Sequence, residues 1–192
     1  MNSNRLEAFS DGVFSIAATL LVLELHVPTP AEGALGPALL SQWPTYASYA
    51  VSFMTIGIIW INHHTLFARV QQIDRPLLFL NLLLLLCVST IPFPTALLGR
   101  YIGAGEQSHL AAAIYGGVMA MMSLSFTAIW TRVRPQLPRP VGKIRVRRPI
   151  IRSFAGLGAY LLGIALAFVS AEASLLVYAS VAVFFVLPPL QD

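Results

Sequence analysis

Six apolar stretches of near-spanning length, at residues 6–27, 46–67, 76–98, 110–130, 150–169 and 173–187, restrict what this chain can fold into more than any other feature. A bilayer core of ~30 Å is crossed by roughly 20 apolar residues in helical conformation, and a helix satisfies its own backbone groups where no water is present to do so. The spacing predicts an all-α integral membrane protein with six transmembrane helices. With 192 residues in all, no separate soluble domain fits, and a single transmembrane domain over 1–192 is expected. Composition agrees, since 57% of residues are hydrophobic and only 10% charged, too little polar surface for a water-soluble domain.

The breaks carry helix punctuation. Pro28 and Pro30 follow the first stretch, Asp74 and Pro76 open the third, Gly99 and Gly103 follow it, and Pro135, Pro138 and Pro140 follow the fourth. The Gly99 and Gly103 pair falls where the third helix should end, so it reads as a turn. Pro92 and Pro94 inside the third stretch should kink or terminate it. The weakest break, 170–174, leaves the last two stretches either a tight helical hairpin or one irregular element. Asp11 interrupts the start of the first apolar run, only Arg5 precedes it, and no small-residue cleavage site follows. That run therefore reads as a retained helix rather than a signal peptide.

Lysine and arginine positions set the orientation, because positive loops stay on the cytoplasmic side. Arg5, Arg69 and Arg75 share one side with Arg132, Arg134, Arg139, Lys143, Arg145, Arg147, Arg148 and Arg152. Arg100 falls on the other side, with Glu24, Glu32, Glu106 and Glu172. The chain is thus expected to be a multi-pass protein of the cell membrane with both termini cytoplasmic. The net charge of +4 arises mostly from the segment between the fourth and fifth stretches. A topology signal accounts for that segment, with contact to anionic headgroups as a further reading, and nucleic acid is not an expected partner. Cys87 lies inside an apolar run with no second cysteine to pair with.

Polar groups within a membrane helix are costly, so they normally face protein or water. Asp11 lies early in the first helix, Asn62, His63 and His64 end the second, and Asn81 lies early in the third, all at one depth. Arg5 and Trp60 are within reach as donors. Two roles compete for this cluster, a proton relay or ion site built on Asp11 and a histidine, and a polar clamp that fixes the packing of the first three helices. Adjacent helical residues point ~100° apart, so Asn62, His63 and His64 cannot share one ligand. With no i, i+4 pair of metal ligands among these three, a metal site is not expected. His26 and His109 sit at the outer boundaries and read as interfacial.

On the first helix, Ile16, Leu20 and Leu23 recur at i, i+4 and i+7 and share one face, beside a polar stripe of Ser15 and Thr19. Around a shared axis they would form stacked apolar rings over ~10 Å of path, and a narrow apolar ring can gate by dewetting. The same spacing suits lipid-facing or core residues, and spacing alone does not decide between them. The first and fourth stretches do not match, so there is no internal repeat. A short unrepeated chain has to build any pore between subunits.

Arg5, Phe9, Ser10, Asp11 and Gly12 spell R-x-x-x-F-S-D-G, followed by Trp60, Asn62, His63 and His64 and then by Asn81 and Ile91-Pro92-Phe93-Pro94-Thr95. In these motifs the chain resembles prokaryotic members of the transmembrane protein 175 family of potassium channels, over roughly residues 5–95. The resemblance implies a homotetramer of six-helix subunits in which the first helix of each lines a central pore without a carbonyl filter. Counted from F-S-D-G, it places the aliphatic constriction at Ile16, Leu20 and Leu23 and the threonine tied to cation preference at Thr19, with Ser15 on the same stripe. It assigns Arg5, Ser10, Asp11, Trp60 and His64 to the polar clamp, in which Phe9, Gly12, Asn62, His63 and Asn81 are included here. The expected activity is potassium passage down its gradient, with monovalent cations and the lipid bilayer as partners and no cofactor other than the permeant ion. An enzyme is not expected, because no nucleophile, base and orienting group recur at usable spacing. Alternatives are a proton-coupled transporter using Asp11 and His64, and a non-transporting membrane interaction subunit.

Overall fold

The computed structural model describes residues 3–29, 34–102, 104–137 and 147–186. Pro30, Glu32, Gly103, Pro138, Arg139, Pro140, Lys143, Arg145 and the end of the sixth stretch at 187 lie outside them, as do the side chains of Arg147 and Arg148. The described residues form helices and connecting turns: α1 (Ser3–Leu20), α2 (Leu35–Ser41), α3 (Trp43–Phe67), α4 (Arg75–Thr90), α5 (Pro92–Tyr101), α6 (Glu106–Val133), α7 (Arg147–Ala167) and α8 (Ala171–Val186). Four of the helical stretches are long and apolar enough to cross a membrane: Arg5–Glu24, Trp43–Phe67, Arg75–Tyr101 and Glu106–Gln136. Two shorter apolar helices, Phe154–Ala167 and Ala171–Phe185, complete the bundle.

α1 lies at one side of the subunit, packed on α3 and α4. α4 and α5 pack on α6, α6 on α7, and α7 on α8, which also touches α3. The core therefore runs through α3, α4 and α6, and α1 gives it a single face. Leu6, Ser10, Phe14, Ala17 and Leu21, recurring at three- and four-residue intervals, are the buried side of α1. Its final turn, Leu21–Glu24, tightens into a 3-10 helix, after which the chain becomes extended at Leu25.

The third apolar stretch is broken as its prolines require. Pro92 has no N–H to give Val88, and Ile91 N–H takes that carbonyl instead at 3.2 Å. The hydroxyls of Thr90 and Thr95 return to the carbonyls of Cys87 and Ile91, each at 2.8 Å. The bend therefore leaves the carbonyls of Cys87, Val88 and Ile91 satisfied inside the bundle.

Gly99 corrects one expectation. It is not a turn residue but lies inside α5, where an added Cβ would stand 3.0 Å from Thr45 Cα. The bare glycine lets α5 approach the start of α3, and Thr45 Oγ1 donates to Gly99 O at 3.3 Å. The turn comes later, at Gly105, whose φ of 62° suits glycine. Of the two readings of the last break, the helical hairpin is the one formed. Ser170 Oγ accepts from Ala173 N–H at 3.1 Å and so caps the start of α8.

Candidate functional site

Three buried polar side chains hold α1 against the core. Ser10 and Asn81 are 0% exposed and His63 is 1% exposed, at a depth where an unpaired polar group is expensive. Ser10 Oγ donates to Leu6 O at 2.9 Å, one turn back on its own helix. With its proton committed, Ser10 can only accept from Asn81, whose Nδ2 donates at 3.1 Å. That leaves Asn81 Oδ1 to accept from His63 Nε2 at 2.8 Å, so the histidine carries its proton on Nε2. The result is a one-way donor chain from α3 through α4 to α1. The imidazole is also held by rings, with Phe67 stacked at 4.2 Å between centroids and Phe14 of α1 tilted against it at 5.4 Å.

A second set of contacts lies on the more exposed side of the α1–α3 seam. Trp60 Nε1 donates to Asp11 Oδ1 at 2.8 Å. His64, one turn along α3, stacks with Trp60 at 6.2 Å and places Nδ1 3.9 Å from the carboxylate of Glu7. Asp11 and Trp60 also stand at one end of an open groove of about 330 Å³ between α1 and α3, which Phe14, Ser15, Ala18, Phe53, Ile56 and Gly57 complete.

The three adjacent polar residues of α3 diverge as helical geometry demands. His63 points into the core, His64 reaches α1, and Asn62 donates to Ile58 O of its own helix at 2.8 Å. Arg5, Phe9 and Gly12 lie on the exposed side of α1, and among the described residues Arg5 makes no hydrogen bond or ion pair. Glu7 was not singled out in the sequence, although it stands one turn before Asp11 and shares its reach toward α3. No group of three or more histidine, cysteine or acidic side chains that could hold a metal occurs among the described residues.

Opposite the buried side of α1, Ile16, Leu20 and Leu23 are 60%, 43% and 67% exposed in the subunit. The 3-10 turn alters their register, since three residues per turn bring Leu23 directly over Leu20. At about 2.0 Å per residue there and 1.5 Å before it, the three side chains span ~12 Å rather than ~10 Å. Ser15 and Thr19 are exposed beside them. The Thr19 hydroxyl donates back to the carbonyls of Ser15 and Ile16, at 3.0 and 2.9 Å, which leaves its oxygen lone pairs turned outward as acceptors.

Another buried polar set, not anticipated from the sequence, joins α3, α5 and α6. Ser52 Oγ is 2.7 Å from Thr95 Oγ1 and 3.0 Å from Tyr115 Oη. The sequence carries no distinctive signal for it, because α3 and α6 contain several other serines and threonines.

The family model described as "Endosomal/lysosomal potassium channel TMEM175" matches residues 5–92. A potassium channel of Streptomyces collinus is 46% identical over 187 residues, covering 95% of this chain and 91% of that protein. The chain belongs to the TMEM175 family. A potassium channel of Chamaesiphon minutus, also similar, is 37% identical over 191 residues, covering 96% of this chain and 94% of the relative. The crystal structure of a lysosomal potassium-selective channel TMEM175 homolog from Chamaesiphon minutus matches the fold with a TM-score of 0.84 at 37% identity, covering 96% of each chain. The stretch matched by the TMEM175 family model contains α1, α3 and α4. It therefore includes every residue of the donor chain and of the Asp11 and Trp60 contact.

Proposed function

We propose that this chain is one subunit of a homotetrameric potassium channel in which α1 of each subunit lines the pore. Ile16, Leu20 and Leu23 then form three stacked apolar rings, and Thr19, with Ser15 beside it, turns hydroxyl oxygens toward a cation that has shed part of its hydration shell. The observation that carries the reading is the two-sidedness of α1. One face is buried and hydrogen-bonded through Ser10 to Asn81, while the other presents large aliphatic side chains that are 43–67% exposed in the subunit. A helix facing lipid alone does not require an anchored rotation, whereas a helix facing a narrow axis does, because a small rotation moves every ring.

Each subunit crosses the membrane six times in this proposal, with α7 and α8 as the two short crossings and both termini in the cytoplasm of a cell-membrane protein. Ser10, Asp11, Trp60, His63, His64 and Asn81 act as the polar clamp that sets the angle of α1 against α3 and α4, whereas Arg5, Phe9 and Gly12 face the exposed side of α1 and Asn62 bonds back to its own helix. Conduction in this proposal calls for no bound cofactor besides the permeant ion.

The test is a reversal potential. Purified protein reconstituted in planar bilayers under opposing potassium and sodium gradients should pass current that reverses toward the potassium equilibrium potential. Saturable uptake driven only by a pH gradient, or no current at all, would reject the channel reading.

A further inference from the structure

Within the hairpin of α7 and α8, α7 is the helix farthest from α1 in packing order, since α7 contacts α6 and α8 while α1 contacts α3, α4 and α5. Large apolar side chains on this hairpin, Phe154, Leu161, Leu162 and Val183 among them, are more than half exposed. In a membrane such a surface meets hydrocarbon. Between the two helices the surface is hollowed by a groove of about 280 Å³, lined by Ala155, Gly156, Ala159, Ser180, Val181 and Phe184. The small residues of α7 make the hollow, and the Ser180 hydroxyl adds little polarity because it donates back to Val177 O at 2.7 Å.

A cation rests against one wall of the groove. Arg152 Nη2 donates to Phe184 O at 2.8 Å, and the guanidinium carbon stands 4.7 Å from the Phe184 ring centroid and 5.6 Å from that of Phe185. Phe184 is thus both a wall of the groove and the platform on which the charge rests. A guanidinium held by a carbonyl and two ring faces keeps a defined position, here beside the Phe184 wall of an apolar trough. In sequence, eight lysines and arginines, with no aspartate or glutamate, fall between positions 132 and 152, the stretch that leads up to and includes Arg152. Such a concentration of positive charge beside a membrane helix attracts anionic lipid.

A trough that faces hydrocarbon and has a fixed cation beside its wall fits a molecule with an acyl chain and a nearby phosphate. We infer that the α7–α8 groove is a binding site for an anionic phospholipid, with the upper acyl chain in the hollow and the phosphodiester on Arg152. A zwitterionic lipid supplies the same chain but no net charge for the basic stretch. The inference does not depend on which helix lines the pore. The orientation proposed above decides only that the lipid comes from the cytoplasmic leaflet.

The test compares each protein with itself in two membranes. The full chain is placed in nanodiscs of phosphatidylcholine alone and of phosphatidylcholine with phosphatidylglycerol, and the thermal midpoint is measured in both. The wild type should be stabilised by the anionic lipid. Arg152→Gln, which removes the cation, and Ser180→Leu, which fills the groove and leaves the charge, should each lose at least half of that shift. Arg134→Gln, which removes an exposed charge of the same basic stretch, should retain it. Any loss of intrinsic stability cancels in the comparison. A shift retained in Arg152→Gln or in Ser180→Leu overturns the site, and so does an equal loss in Arg134→Gln, which would mean diffuse surface charge. Channel current is not the readout, so failure here and failure of the pore proposal are distinguishable.

Discussion

Asn81 on α4 donates its side-chain amide to Ser10 on α1 at 3.1 Å, across 71 residues of sequence and with both residues fully buried. Because Asn81 also accepts from His63, this one amide joins the first helix to two others. Asn81→Leu removes both bonds and leaves the His63 Nε2–H without an acceptor. A buried polar group stranded in this way costs roughly 1–3 kcal/mol. The variant should melt measurably lower than the wild type in detergent, and Ser10→Ala, which breaks one link and leaves the other, should fall between them. An unchanged midpoint for Asn81→Leu would mean that the chain of donors does not hold α1.

The contact between Trp60 and Asp11 is more exposed, so its energy is smaller. Trp60→Phe keeps the ring and removes the Nε1–H, while Asp11→Asn keeps the shape and removes the charge. A double-mutant cycle on thermal stability should give a coupling of about 0.5–1 kcal/mol, at the low end for residues in contact. Asp11→Ala should also reduce recovery of the assembled oligomer on size exclusion. Normal oligomer yield together with altered proton flux would favour a relay role for Asp11.

Leu21 and Leu23 are two residues apart on opposite sides of the same helix end, one fully buried and the other 67% exposed. Leu21→Ala should destabilise the subunit by about 2–5 kcal/mol, the range for a buried leucine, and leave ion selectivity unchanged. Leu23→Ala should leave subunit stability within about 0.5 kcal/mol, as for an exposed position, while widening the pore. Single-channel recording of Leu23→Ala should then show higher conductance and a weaker preference for potassium over sodium. Identical currents in wild type and Leu23→Ala would remove this residue from the pore.

Asp74 caps the start of α4, with Oδ1 accepting from Leu77 N–H at 3.0 Å and Oδ2 accepting from Arg132 at the end of α6. The Arg132 guanidinium, and then the Leu77 amide, hold this carboxyl below its ordinary value of 3.8. A depressed carboxylate stabilises the fold above its unfolded value and loses that contribution as the pH falls through its folded value. Asp74→Asn retains a capping acceptor and removes the ion pair. Its melting temperature should lie slightly below that of the wild type near neutral pH, and the two should converge only at pH below 3.8. Convergence already at pH 6 would mean that some other group is responsible.

Much of the architecture was legible in the sequence because hydropathy and charge add up along a chain. Four of the six apolar stretches correspond to helices long enough to cross a bilayer, and the other two form the α7–α8 hairpin. Pro92 marked the break between α4 and α5, since a missing N–H acts on its own helix. Gly99 was misplaced for the opposite reason. Its role is set by Thr45, 54 residues away, and nothing local distinguishes a glycine that admits a neighbouring helix from one that makes a turn.

The candidate site divides along the same line. The sequence alone determined that Asp11, Asn62, His63, His64 and Asn81 lie at one depth, and that Ile16, Leu20 and Leu23 share a side of α1, because both follow from the fixed rise and rotation of a helix. Only the tertiary structure decided which polar groups meet. His63 rather than His64 bonds Asn81, Trp60 rather than Arg5 takes Asp11, and Glu7 enters the set. Those pairings depend on how three helices, distant in sequence, rotate and cross, and a rotation of one residue's ~100° exchanges one partner for another.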